Sequence, residues 1–130
     1  MDEIKRKQVK GETLFLRAYY YFILAINFGD VPLILESTKS ANYPKITRTP
    51  VKQVYEKIIA DMTAADSLVM TASEAGFGGR VNRSAVQGIL ARVCLHMAGH
   101  PVNDKSKFVD ARDWAKKVIN TTSHELTPLS

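Results

Sequence analysis

The sequence predicts an all-α fold of about four helices, and three observations carry that prediction. Apolar residues recur at three- and four-residue spacing over 51–68, 85–97 and 108–119. Glycine and proline fall at the breaks between these stretches, at Gly29 and Pro32, Pro50, the cluster Gly76, Gly78 and Gly79, and Gly99 with Pro101. Apolar residues make up 45% of the 130-residue chain, enough to build a core at a length that suits one domain.

The first helix is expected over 2–28, with a polar start and an apolar second half. Thirteen of the 15 residues over 14–28 are apolar, Arg17 and Asn27 being the two that are not. Fifteen is short of the roughly 20 residues that cross a bilayer, and a helix apolar nearly all round is usually buried among others. Gly29 stands where a helix-terminating glycine belongs, and Pro32 prevents continuation. Val31 to Leu35 reads as a lone extended or edge segment, because Pro32 has no N–H to donate. A polar loop follows over 36–48. Thr49 and Pro50 then read as the cap and first residue of the second helix, whose apolar stripe is Val51, Val54, Tyr55, Ile58, Met62, Ala65 and Leu68. Asp61 and Asp66 are placed off that stripe.

A glycine-containing loop covers 71–80 with Phe77 in its middle. Asn82 caps the third helix, whose apolar face is Ala85, Val86, Ile89, Leu90, Val93, Cys94 and Met97. Gly88 and Ala91 are small and are expected to admit a close helix neighbour. The fourth helix starts near Ser106, with Phe108, Ala111, Ala115 and Val118 on one side and Trp114 and Ile119 beside them. Residues 121–130 show no period and read as a frayed tail. Helices three and four are similar to one tetratricopeptide hairpin: Leu90, Ala91 and Cys94 have the spacing of its first helix, and Ala111, Ala115 and Val118 that of its second. The connection between them is about eight residues longer than a 34-residue repeat allows. The predicted architecture is therefore a set of tetratricopeptide-like antiparallel helix pairs, a fragment of an α/α superhelix, in which each pair needs neighbours to cover its faces.

The formal charge of +5 comes in weak blocks, none of them a run of five like charges, and no nucleic-acid motif accompanies it. A lone cysteine, Cys94, excludes an internal disulfide and a cysteine-based zinc site. His96 and His100 are four apart, but Gly99 and Pro101 interrupt the turn between them and no carboxylate stands at a matching position, so no metal is expected. No nucleophile elbow, carboxylate pair or phosphate-binding loop appears, so no catalytic residue is assigned. Arg17, inside an apolar helix, needs a partner; Glu12, Asp30 and Asp61 are candidates, and the pairing assigned is Arg17 with Asp30, pinning the helix to its own terminal turn. Tyr19, Tyr20, Tyr21 and Phe22 point about 100° apart in succession, so they cannot form one flat platform and are read as core.

Four segments together resemble one family. They are Gly11-Glu12-Thr13-Leu14-Phe15-Leu16-Arg17-Ala18-Tyr19-Tyr20-Tyr21-Phe22, continuing as Asn27-Phe28-Gly29-Asp30-Val31-Pro32-Leu33; Arg48-Thr49-Pro50-Val51 with Val54-Tyr55-Glu56-Lys57-Ile58-Ile59-Ala60-Asp61; Gly79-Arg80-Val81-Asn82; and Ala111-Arg112-Asp113-Trp114-Ala115 with Val118-Ile119. In this order and spacing they resemble the SusD/RagB family of outer-membrane nutrient-binding lipoproteins. The resemblance covers most of 11–120 and implies one SusD-like N-terminal helical domain over 1–130, a piece of a longer family pattern. It implies a protein without chemistry or cofactor, on the outer cell surface, capturing oligosaccharides or other large nutrients and handing them to a SusC-like TonB-dependent transporter. A lipid anchor is expected outside this chain, and the apolar first helix is expected to need the rest of the family pattern, or self-association with a second copy of the fragment, to cover it. Sugar sites join an aromatic ring to amides or charges. Asn42, Tyr43 and Lys45 in the first loop and Phe77 in the second are the candidate ligand residues. The alternative is a tetratricopeptide-like protein-interaction scaffold with no ligand site of its own.

Overall fold

The computed structural model describes residues 2–37, 46–76, 78–121 and 124–127. Four helices follow one another: α1 (Glu3–Phe28), α2 (Val51–Leu68), α3 (Arg83–Ala98) and α4 (Lys107–Ile119). Among the described residues the one strand-like feature is an isolated antiparallel bridge between Val31 and Thr49. The all-α prediction holds, and each helix end lies within a few residues of its expected place.

The ends follow local chemistry. The Asp2 carboxylate accepts from the Ile4 N–H and opens α1. Gly29 closes it at φ 67°, a left-handed conformation open to glycine, with its N–H on the Ala25 carbonyl. Asn82 Oδ1 accepts from the Ala85 N–H at 3.1 Å and opens α3, as expected. The start of α2 differs from expectation. Pro50 is the flanking residue and Thr49 caps nothing with its side chain; Asp30 Oδ1 accepts from the Val51 N–H at 2.8 Å instead. The Thr49 N–H bonds the Val31 carbonyl at 2.9 Å, and this bridge brings the turn after α1 to the start of α2.

The helices pack in chain order, α1 on α2, α2 on α3 and α3 on α4. α1 contributes a heptad-like stripe of Gln8, Gly11, Phe15, Ala18, Phe22 and Ala25. Against it lie Val54, Tyr55, Ile58, Met62 and Ala65 of α2 and Val86, Leu90, Val93 and Met97 of α3. Each large side chain fully buried here stabilises the fold by about 1.5–3 kcal/mol. Phe22 sits edge-on to both Tyr55 and His96, at 6.3 and 5.2 Å between ring centres, and so joins α1 to α2 and α3. Burial pushes the Cys94 thiol up to about 11, with the Asp110 carboxylate adding to the effect, which leaves it protonated at neutral pH.

Three expectations about packing are corrected. α1 is buried on one side alone: Leu16, Tyr20, Ile23, Leu24, Ile26 and Phe28 are exposed, Phe28 by 69%. Gly88 is exposed with no atom within 4 Å of where a Cβ would stand, so it admits no close neighbour. The close-approach glycine is Gly11, where a Cβ would lie 2.7 Å from Val69 Cγ1 and 2.9 Å from Leu68 Cβ. On α4, Ala111 is the buried residue, Trp114 packs partly against the core and Phe108 is half exposed. That helix closes one side of α3 and turns the rest of its surface outward.

Candidate functional site

The four candidate ligand residues, Asn42, Tyr43, Lys45 and Phe77, lie outside the described residues. The anchors of their two loops are described, and they explain how each loop is held.

The first loop leaves the C-terminal half of α1. The Tyr21 hydroxyl accepts from the Ile34 N–H at 2.8 Å and donates to the Ile34 carbonyl at 3.0 Å. Arg17 Nη1 reaches the Leu35 carbonyl. The far end of the loop is tied by the Val31–Thr49 bridge and by Asp30 on α2. Beneath these anchors is an ion cluster. Arg17 donates through Nε and Nη2 to Asp61 Oδ2 at 2.9 and 2.7 Å, and Lys57 Nζ donates to Asp61 Oδ1 at 2.7 Å. Arg17 therefore pairs with Asp61 and not with Asp30, because Asp30 is spent on the α2 terminus. Asp61 belongs to the buried face of α2 between Ile58 and Met62, contrary to the reading that set it off the stripe. A buried carboxylate is costly unless compensated, and three charged N–H donors compensate this one.

The second loop is tied to the N-terminal half of α1. Gln8 is buried; its Nε2 donates to the Val81 carbonyl at 2.8 Å and to Glu12 Oε1 at 2.9 Å, and its Oε1 accepts from the Met70 N–H at 2.7 Å. One side chain thus grips both ends of the connection between α2 and α3. Glu12, one turn on, takes a fork of two bonds from Arg80, Nε to Oε1 at 2.9 Å and Nη2 to Oε2 at 2.7 Å. The Arg80 hydrogen bond is the first cause that holds the Glu12 carboxyl below the usual carboxylate range, opposed by partial burial. Gly11 lets the end of α2 press against the helix at this level. Within the loop, Glu74 Oε2 accepts from the Thr71 N–H and hydroxyl at 2.8 and 2.7 Å.

A cleft of about 340 Å³ opens between this loop and α1, lined by Lys5, Gln8, Val9, Met70, Glu74, Ala75 and Arg80. Sequence reasoning missed it. Gln8 and Glu12 share one face by their four-residue spacing, but their partners stand more than sixty residues away. The anchors of the two loops do not converge. Gln8 and Tyr21 are thirteen positions apart on one helix, about 20 Å along its axis. Among the described residues no group of three metal-binding side chains occurs, and no helix is long and apolar enough to cross a membrane.

The geometry is that of a helical scaffold in tetratricopeptide-like pairs, with loops and a cleft anchored on one long first helix. The sequence profile of the SusD-like family, described as starch-binding and associating with the outer membrane, matches residues 1–95, and the chain belongs to that family. It is 40% identical over 65 residues to the SusD-like protein P2 of Formosa agariphila, which is 49% of this chain and 13% of that protein. It superposes with a TM-score of 0.86 and 27% identity on a SusD homolog from Bacteroides thetaiotaomicron, covering 97% of this chain and 25% of that one. A structure described with a xylogluco-oligosaccharide matches at a TM-score of 0.83 and 27% identity, over 98% of this chain and 26% of that one. The chain thus spans about a quarter or less of the length of these relatives.

Proposed function

We propose that this chain is the helical part of a non-catalytic capture component for oligosaccharides at the outer membrane, handing its ligand to a SusC-like TonB-dependent transporter. The observation that carries the reading is the family match over 1–95, joined by the superposition on a relative described with a bound oligosaccharide. The chemistry agrees with it. The ion clusters described above, Arg17 and Lys57 on Asp61 and Arg80 on Glu12, hold helices and loops, and none of them sets a nucleophile beside a base. Within this reading 1–130 is one domain, and Asn42, Tyr43, Lys45 and Phe77 are the ligand residues carried by its two loops. Tyr43 supplies a ring face for a pyranose, while Asn42 and Lys45 supply hydroxyl partners.

Calorimetric titration of the folded chain with neutral oligosaccharides tests this. Binding heat that disappears in Tyr43→Ala is the expected result. Silence across the panel would overturn the ligand assignment for this part of the protein and favour the scaffold reading, with helical surfaces as its working parts.

A further inference from the structure

We propose that the outer face of α1 is a self-docking surface, on which a second copy of this chain lays its own α1 antiparallel about a two-fold axis. The docking needs no sugar, so it stands apart from the capture reading. Spacing, satisfied polar groups, charge and area select this occupant.

α1 carries two stripes. The inner one, from Gln8 to Ala25, meets the core. The outer one is Val9, Thr13, Leu16, Tyr20, Ile23 and Asn27, all exposed, about 150° round the helix from the first. Its steps alternate four and three, a repeat of about 3.5 residues that keeps one side of a helix turned to one neighbouring helix over several turns. Leu24 and Ile26 widen it with exposed apolar area. From Ala18 to Phe28 the helix has no charged residue, and Arg17 just before is spent inward on Asp61. The two polar members are already turned back on the helix. The Thr13 hydroxyl donates to the Val9 carbonyl and Asn27 Nδ2 to the Ile23 carbonyl, both at 2.8 Å. Covering the seam therefore leaves neither side chain without a partner. Charge sets the direction. Lys5, Arg6 and Lys10 flank the start of this face, and a parallel pair would bring these cations against their copies. An antiparallel pair parts them. It also lays Lys10 near the carboxyl end of the other α1, whose last turn has no basic residue of its own to meet the helix dipole. A two-fold axis midway between Tyr20 and Ile23 sets Tyr20 of each copy on Ile23 of the other, and Leu16 on Asn27. The apolar side chains exposed there amount to on the order of 500 Å² a copy, about 1,000 Å² in the pair, which reaches the lower bound of specific interfaces and marks a weak dimer.

Sedimentation velocity over a wide range of chain concentration tests this, with the fold checked by circular dichroism. The expected result is a reversible dimer with a Kd on the order of tens of micromolar, the chain being monomeric with its face open well below that. Tyr20→Lys should weaken dimerisation by about tenfold or more, with the thermal melt of the dilute chain unmoved. Ala60→Lys, on the outer side of α2, should leave dimerisation unchanged. A short bismaleimide reads the direction. Tyr20→Cys copies meet across the axis and should crosslink, whereas Thr13→Cys copies lie about 25 Å apart along it and should not. Cys94 is buried and stays out of the reaction. A chain that is monomeric at every concentration overturns the proposal and leaves the face to a different partner. So does a dimer indifferent to Tyr20→Lys, a dimer crosslinked through Thr13→Cys, or binding to phosphatidylcholine vesicles in place of self-association.

Discussion

The outward faces of α1 and α2 make opposite surfaces from similar inner ones. Both helices bury a stripe at three- and four-residue spacing, and those stripes meet in one core. Outside, α2 shows Lys52, Gln53, Glu56, Ala60, Thr63, Ala64 and Ser67, an ordinary solvated face. α1 shows Leu16, Tyr20, Ile23, Leu24, Ile26 and Phe28. Scattered exposed apolar residues need no explanation, but six on consecutive turns of one helix form a patch. The difference teaches that similar inner stripes leave the outer face free to differ: α2 keeps a solvated polar one, α1 an exposed apolar one. An end repeat of a helical solenoid normally carries a polar outer face, and α1 does not.

The strongest way to break the comparison is at the joint between the two helices. Asp61→Ala removes the carboxylate that holds Arg17 and Lys57 and leaves a partly buried guanidinium without its main partner. Urea unfolding should show a loss of about 3 kcal/mol or more. Asp30→Ala should cost about 1 kcal/mol, the worth of a helix cap. Equal losses for the two would contradict the pairing seen here.

The next effect comes from the two glycines, which distinguish a contacted helix surface from an open one. Gly11→Ala drives a methyl against Val69 and Leu68 and should destabilise by about 1–3 kcal/mol. Gly88→Ala, on an open face of α3, should stabilise by about 0.5–1 kcal/mol. Thermal melts of both variants check the opposite signs, and a stabilising Gly11→Ala would mean that α1 and the end of α2 do not approach this closely.

The smallest effect on stability belongs to the outer face of α1 itself. Tyr20, 62% exposed, and Phe28 make few contacts within the chain, so Tyr20→Lys with Phe28→Lys should shift stability by no more than about 0.5 kcal/mol. The same double variant should sharply reduce fluorescence of a hydrophobic dye bound to the wild-type chain. Ala60→Lys on α2 should leave that fluorescence unchanged. A dye signal indifferent to the α1 substitutions would locate the exposed apolar surface elsewhere.

Much of the fold was legible because its signals are local. Gly29 ends α1 and Asn82 starts α3 through bonds within four residues, and the apolar spacings of α2 and α3 describe their buried faces. The family, too, was legible, since its motifs run in order along the chain. The pairings were not. Three carboxylates were available to Arg17, and nothing in their spacing selects Asp61, forty-four positions away. Asp30 was diverted by a bridge between Val31 and Thr49 that no local rule announces.

The sequence by itself determined four helices, most of their ends and membership in the SusD-like family, because periodicity, capping and motif order are properties of neighbouring residues. Only the tertiary structure decided which glycine is pressed, which carboxylate holds Arg17, how Gln8 and Glu12 grip a loop from more than sixty positions away, and that a cleft opens beside them. Those outcomes depend on how whole helices seat against one another. A seated pair brings together groups whose distance along the chain carries no information about their distance in space.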